Sequence, residues 1–361
     1  GFFFLFFSDQ TDDTPFTPRR TKDRIEGMLF ARNRDLFSEL ELVFFDTTSI
    51  YFEGGGGAHF GHRGFSKDHR PDLFQMVVGA VLDGNGRPIC CEMWPGNTAD
   101  VTTLLPVVER IRKRFGVGNF CVVADRGMIS AETLRRLEEA NIGYILGCRM
   151  RKVKEIQTEV LTRAGRYREV YPESADPGKP APLKVKEVRH EGKRYIVCIN
   201  GCQARKDAAD RQAIVDGLIQ QLKKGAKSLV GNKGYRKYLK IEKDSVAIDE
   251  DKIKADEVFD GKWVLITNTG LSGEQTALKY KELWRVERVF RDVKSLLETR
   301  PVFHQNDAHI AGHVFCSFLA LVLRKELDQR LASAGHRFEW LHIKQDLEAL
   351  KQVVIEEDGK R

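Results

Sequence analysis

Phe120-Cys121-Val122-Val123-Ala124-Asp125-Arg126-Gly127 sets five apolar residues in a row against a carboxylate and a turn. A run this short, rich in β-branched residues and closed by Asp and Gly, reads as a buried strand with Asp125 at its carboxyl end. Leu42-Val43-Phe44-Phe45-Asp46 repeats the design, so Asp46 also ends a strand. Between the two lie a Gly54 to Gly57 run, a polar stretch from Gly61 to Arg70 and a strand from Leu73 to Leu82. Asp83-Gly84-Asn85-Gly86 is a hairpin signal, followed by a strand over Pro88 to Trp94. Asp100 to Phe115 has helical spacing, Ser130 with Thr133 opens another helix, and Gly143 to Cys148 makes a fifth strand. The order is β-β-β-α-β-α-β, preceded by an amphipathic stretch from Lys22 to Leu40.

Beyond Arg149 the character changes. Up to about Gly261 the chain is Lys-rich and short of long apolar runs, alternates over Leu183 to Asn200, and carries one helical pattern from Ala208 to Lys224. This predicts an inserted β-rich module. Trp263 to Thr267 is a strand assignable to either the core or the insertion. The remainder reads as two long helices, Glu274 to Leu297 and His309 to Leu331.

The 361 residues are 42% hydrophobic and 31% charged, an ordinary globular composition that excludes disorder and fibrous classes. The longest apolar runs, Gly1 to Phe7 and Val314 to Leu323, fall short of the roughly 20 residues a bilayer crossing needs, so no membrane partner is expected. Gly1-Phe2-Phe3-Phe4-Leu5-Phe6-Phe7 lacks the basic start and small-residue cleavage site of a signal peptide and resembles the edge of a fragment. Seven Cys without a CxxC pair predict buried free thiols in a reducing cytoplasm. A formal charge of +7 permits a polyanionic partner without demonstrating one.

Two strand-terminal aspartates of one sheet can reach a common crevice, since ligand sites in open sheets form at the carboxyl ends of strands. Either Asp alone could equally cap a turn. The third element is the helix Tyr280-Lys281-Glu282-Leu283-Trp284-Arg285-Val286-Glu287-Arg288-Val289-Phe290-Arg291-Asp292-Val293-Lys294. At about 100° per residue, Tyr280, Glu287, Arg291 and Lys294 share one face within about 60°, while Leu283, Val286, Phe290 and Val293 share the adjacent one. Glu287 and Arg291 could simply pair as (i, i+4) neighbours on a solvated helix. Beside Asp46 and Asp125, however, a third carboxylate would be repelled unless a divalent cation lay between them, and hard oxygen ligands suit Mg²⁺ or Mn²⁺.

At this point the chain resembles the DDE transposases of bacterial insertion sequences, specifically the group with a Tyr/Arg/Glu/Lys signature and a β-rich insertion before the Glu. The resemblance runs from about Leu42 to Leu323. It rests on Phe45 to Glu53, Pro95-Gly96-Asn97-Thr98, Val123 to Gly127, Tyr280 to Lys294, and Arg300-Pro301-Val302-Phe303-His304 with Gly312-His313. It implies an α/β fold, an RNase H-like mixed sheet flanked by helices and interrupted by the β-rich insertion. It also implies an N-terminal remnant over 1–41, core over 42–148, insertion over 149–262, and second core part with C-terminal helices over 263–361. Asp46, Asp125 and Glu287 become the catalytic metal ligands for two Mg²⁺ or Mn²⁺ ions. Tyr280, Lys281, Arg285, Arg288, Arg291 and Lys294 become DNA contacts. Leu283 stands where the signature has Arg, and Met128 where the family has an aromatic. The implied activity is strand cleavage at transposon ends and strand transfer into target DNA, by a homodimer in a synaptic complex, in a bacterial cytoplasm at the nucleoid. A stand-alone RNase H-like nuclease and an inactive, truncated or domesticated DNA-binding derivative are the alternatives; with only 45 residues before Asp46, an N-terminally truncated copy is expected.

Other motifs have plainer readings. His59 with His62, and His309 with His313, lack partners at zinc-site spacing, so packing within the C-terminal helices is expected of the second pair. The Gly54 to Gly57 run lacks the Gly-Lys-Ser/Thr ending of a phosphate loop and is expected to be a flexible loop near Asp46. Trp263 and Trp284 could stack on a base or pack in the core. Lys223, Lys224 and Lys227 could touch DNA or form a solvated face.

Overall fold

The computed structural model describes residues 21–33, 41–171, 182–224, 237–241, 246–336 and 338–350. The Phe-rich start, residues 34–40 and Lys227 lie outside them. Eleven strands are formed among the described residues: β1 (Glu41–Tyr51), β2 (Gln75–Leu82), β3 (Pro88–Pro95), β4 (Phe120–Ala124), β5 (Gly143–Gly147), β6 (Arg168–Val170), β7 (Leu183–His190), β8 (Lys193–Asn200), β9 (Leu239–Ile241), β10 (Val246–Ile248) and β11 (Lys262–Thr267). The helices are α1 (Thr21–Asn33), α2 (Leu104–Phe115), α3 (Ala131–Glu139), α4 (Gly201–Lys224), α5 (Glu250–Glu257), α6 (Gly273–Lys281), α7 (Trp284–Arg291), α8 (Asp307–Ser333) and α9 (Trp340–Ala349).

Nine strands share one sheet in the order β3-β2-β1-β4-β5-β11-β8-β7-β6. The antiparallel β1, β2 and β3 continue into β4 and β5, which run parallel to β1. That is a mixed sheet flanked by helices, as the resemblance implies. Burial on both faces explains the unbroken apolar runs: every residue of β2 and β4 is buried. One face packs Phe45, Phe120 and Val122 with Leu104, Val108 and Ile111 of α2. The opposite face packs Phe44, Val123 and Leu265 with Ala277 of α6 and Val286 and Phe290 of α7.

The described residues of 149–262, expected as an insertion, fall into two groups. Strands β6, β7 and β8 extend the core sheet, with β11 bonded to β5 on one side and β8 on the other. Trp263 to Thr267 is thus bonded on both sides within one sheet. The other group gathers Val215 and Leu218 of α4 with Tyr238 and Leu239 in a small separate core, over the β9–β10 pair.

Four elements differ from the sequence reading. β1 does not end at Asp46 but continues to Tyr51, because the residues from Asp46 onward keep pairing with β2. The helix expected over Glu274 to Leu297 is interrupted: Leu283, Arg285 and Val286 bond three residues back rather than four, and Asp292–Leu296 is a π-turn. Asp100–Thr102 is a separate 3₁₀ turn before α2. The Gly54 to Gly57 run is anchored, since Gln305 accepts from the Gly56 amide and Asp307 from the amides of His59 and Phe60. A Cβ at Gly56, whose φ is +74°, would lie 2.2 Å from the Phe52 ring, so these glycines serve close packing.

Candidate active site

Parallel pairing of Phe45 with Ala124 is the last between β1 and β4, so Asp46, midway along β1 and not at its end, lies beside Asp125 at the carboxyl end of β4. By strand alternation Asp46 shares the face of Phe44, and Asp125 that of Val123, beneath α6 and α7. α6 lies over β4, β5, β7 and β8, and α7 over β1 and β2, so the helical segment crosses both aspartates. Its Tyr280 hydroxyl donates to Asp125 Oδ1 at 2.9 Å. Burial first, and then the charge of Asp125, push the Tyr280 phenol well above its usual range, so it stays a donor.

Asp46 accepts from the Thr47 amide at 2.7 Å, and Lys67 Nζ stands 4.0 Å from its Oδ1. Burial pushes the Asp46 carboxyl up to about 7, opposed by Lys67 and the Thr47 amide and assisted by the charges of Asp125 and Asp100. Asp100 is a further carboxylate of the site: it accepts from Thr47 Oγ1 at 2.7 Å and pairs with Lys67 at 3.0 Å. Beside this network opens a cleft of about 280 Å³ whose lining includes Ser49, Phe65, Lys67, Thr98, Asp100 and Arg149. Phe65 at its rim is 84% exposed.

Lys67 and Asp100 were not singled out from the sequence. Asp100 follows the Pro95 to Thr98 block, a signal that could have drawn attention to it; Lys67 sits in a polar stretch with no distinguishing pattern.

Glu287 is exposed in the first turn of α7, one residue beyond buried Val286. Among the described residues its carboxylate does not close with those of Asp46 and Asp125 to within 4.8 Å; the group that does reach that spacing is Glu155, ahead of the turn Ile156–Val160, with His190 and Glu191 at the β7–β8 turn. The interruption at Glu282 to Val286 and the π-turn after Arg291 also divide the face expected to carry Tyr280, Glu287, Arg291 and Lys294. Arg288 and Arg291 are exposed. Lys281 stands over the Trp263 ring at 4.5 Å, Arg285 donates to the Gly84 carbonyl at 2.7 Å, and Lys294 is bound to Asp68 at 2.6 Å. Trp284 is partly exposed, and His313 lies 3.1 Å from the Thr299 carbonyl.

A family model described as the transposase DDE domain matches residues 38–323, more than half of the chain and the whole of this site. The chain belongs to the transposase DDE family. No curated protein matches it. Among solved structures, this DDE-family chain is similar to a piggyBac transposase determined by cryo-EM as a synaptic complex with hairpin DNA. The two share 10% identity and a TM-score of 0.45, over 82% of this chain and 49% of that one. The transposase chain described here thus spans about half the length of that structure. Among the described residues no helix is long and apolar enough to cross a membrane.

Proposed function

We propose that this chain is a metal-dependent DNA transposase that cleaves strands at transposon ends and joins them to target DNA, working as a homodimer in a synaptic complex. The observation that carries the reading is the meeting of Asp46, midway along β1, with Asp125 at the carboxyl end of the adjacent parallel β4, under the helical segment that bears Glu287.

The donor set fits a hard divalent cation. Two carboxylates from different strands face one space, and burial has raised the proton affinity of Asp46, the behaviour of a carboxylate placed where a cation would relieve its charge. Asp46 and Asp125 would hold Mg²⁺ or Mn²⁺, with Glu287 completing the set from α7. When bound, two such ions activate the attacking oxygen and stabilise the departing one in phosphodiester exchange. The chain's own residues orient: Tyr280 fixes Asp125, the Thr47 amide fixes Asp46, and the exposed Arg288 and Arg291 would meet phosphates. Such phosphate contacts supply affinity and steep salt dependence with little sequence information.

The test is strand cleavage of labelled transposon-end DNA by the purified chain with Mg²⁺, Mn²⁺ or EDTA, beside Glu287→Ala. Cleavage that needs metal and is lost in the variant is the expected result. Undiminished cleavage by Glu287→Ala would overturn its assignment as a ligand.

A further inference from the structure

We propose that Lys67 and Asp68 form a positioning strap that holds the Glu287-bearing segment in register with the strand of Asp46; this rests on the transposase reading above. The two residues are neighbours in sequence and anchor to opposite halves of the site. Lys67 Nζ donates to the Thr47 carbonyl and to Thr47 Oγ1, both at 2.7 Å, and pairs with Asp100 at 3.0 Å. An ammonium has three protons, and these contacts use all of them on β1 and its neighbour. The Lys67 amide adds a bond to Ser49 Oγ at 2.8 Å. Lys67 is therefore tied to the sheet and is not a phosphate contact.

Asp68 turns the other way. Its side chain is 5% exposed and takes Lys294 at 2.6 Å together with the Arg300 guanidinium. Lys294 lies two turns beyond Glu287, and Arg300 follows. The turn between the anchors is fixed by Ser66, whose Oγ accepts from the Asp68 amide at 3.3 Å and the Arg70 amide at 3.1 Å. His69 takes φ +58° to close it.

The strap supplies what the apolar contact cannot. α7 meets β1 through Val286 and Phe290 against Phe44, and apolar burial is non-directional. A directional contact, from Arg285 to the Gly84 carbonyl, holds α7 before Glu287, and the strap adds one beyond it. Lys294 lies within the π-turn Asp292–Leu296 that follows α7, so its anchor fixes that turn directly behind the helix bearing Glu287. A part-buried ion pair from Lys67 and a buried one from Asp68 set both the strand and the helical segment against one short loop.

The experiment is calorimetric titration of the full chain with Mn²⁺ alone, together with far-UV circular dichroism and the kcat and KM of DNA-end cleavage. The variants are Lys67→Arg, which keeps the positive charge 4.0 Å from Asp46 but not the three ammonium contacts, Asp68→Asn, Lys294→Met, and Asp68→Lys combined with Lys294→Asp. The single variants should remain folded and weaken Mn²⁺ binding by about 10- to 100-fold, as loss of groups that orient metal ligands does. They should lower kcat with KM for DNA little changed, and the charge-exchanged double variant should recover part of the loss. Lys294→Met leaves Asp68 paired with Arg300, so it reports even if the loop variants do not fold. Folded Asp68→Asn or Lys294→Met chains that bind Mn²⁺ as the parent does would overturn the strap. Mn²⁺ binding that is absent in the parent, or intact in Asp46→Asn, would instead overturn the metal-site reading on which it rests.

Discussion

Tyr280 and Asp125, 155 residues apart in sequence, are joined by a hydrogen bond of 2.9 Å between phenol and carboxylate. It ties α6 to the end of β4 and gives one lone pair of a proposed metal ligand a fixed partner.

Tyr280→Phe keeps the ring and removes this donor. A hydrogen bond to an ionised group contributes about 1.5–3 kcal/mol, and the half-buried Asp125 places the loss toward the lower end. Urea denaturation should show that loss while circular dichroism stays native. DNA cleavage should fall as well, because Asp125 is no longer held. A variant as stable and as active as the parent would remove this bond from the account.

Asp46 makes the metal-free chain sensitive to pH in an unusual direction. Its carboxyl is held at about 7 in the fold, mainly by burial, against an ordinary value of 3.8. The folded state thus binds the proton more tightly than the unfolded one between those values, and stability contributed by the protonated form is lost as pH rises toward and through 7. In EDTA the melting temperature should drop between pH 5 and 8, and Asp46→Asn should flatten the slope. Equal slopes for the two proteins would show that Asp46 is not the group responsible.

Glu26 is the buried hub that fastens α1 to the core. It pairs with Lys22 at 2.9 Å and Arg114 at 2.8 Å and accepts from the Cys91 amide at 3.0 Å. Glu26→Ala leaves two cations in a site that excludes water, a change that costs about 3–5 kcal/mol. Guanidinium denaturation measures it; a loss below about 1 kcal/mol would mean that water or Asp23 replaces the hub.

Thiol chemistry should sort the seven cysteines into two groups. Cys202 and Cys316 are exposed, whereas Cys90, Cys91, Cys121, Cys148 and Cys198 are buried. Burial pushes the Cys121 and Cys148 thiols up to about 12, which suppresses the reactive thiolate. An aromatic disulfide reagent should modify two thiols rapidly in the native chain and the other five only on unfolding. Rapid reaction of more than two would contradict the burial of the core strands.

The strand that ends at Asp125 was legible because its signal is local, whereas the strand bearing Asp46 runs on to Tyr51 through polar Thr47, Thr48 and Ser49, which carry no strand signal of their own. Five apolar residues ending in Asp125 need no knowledge of the rest of the chain, and Asp83 to Gly86 announces its own hairpin. The break between α6 and α7 was not legible, since Leu283 and Val286 suit helix and core equally and the change from four-residue to three-residue bonding follows from packing on the sheet. Lys67 was invisible for a related reason. Its importance lies in Thr47 and Asp100, 20 and 33 positions away, and a lysine in a polar loop carries no mark of such partners. Lys294 illustrates the converse: its place in the signature suggested phosphate, but Asp68, 226 residues earlier, takes the charge in the fold.

The placement of β11 bears on how the chain comes to be folded. β5 finds its second neighbour only after the whole insertion has been made, so during synthesis its edge offers unpaired amides and carbonyls. Pairing across so long a loop is slow compared with hairpin closure. The apolar β5 edge is therefore the segment through which nascent chains would join one another, and the step a chaperone would have to guard.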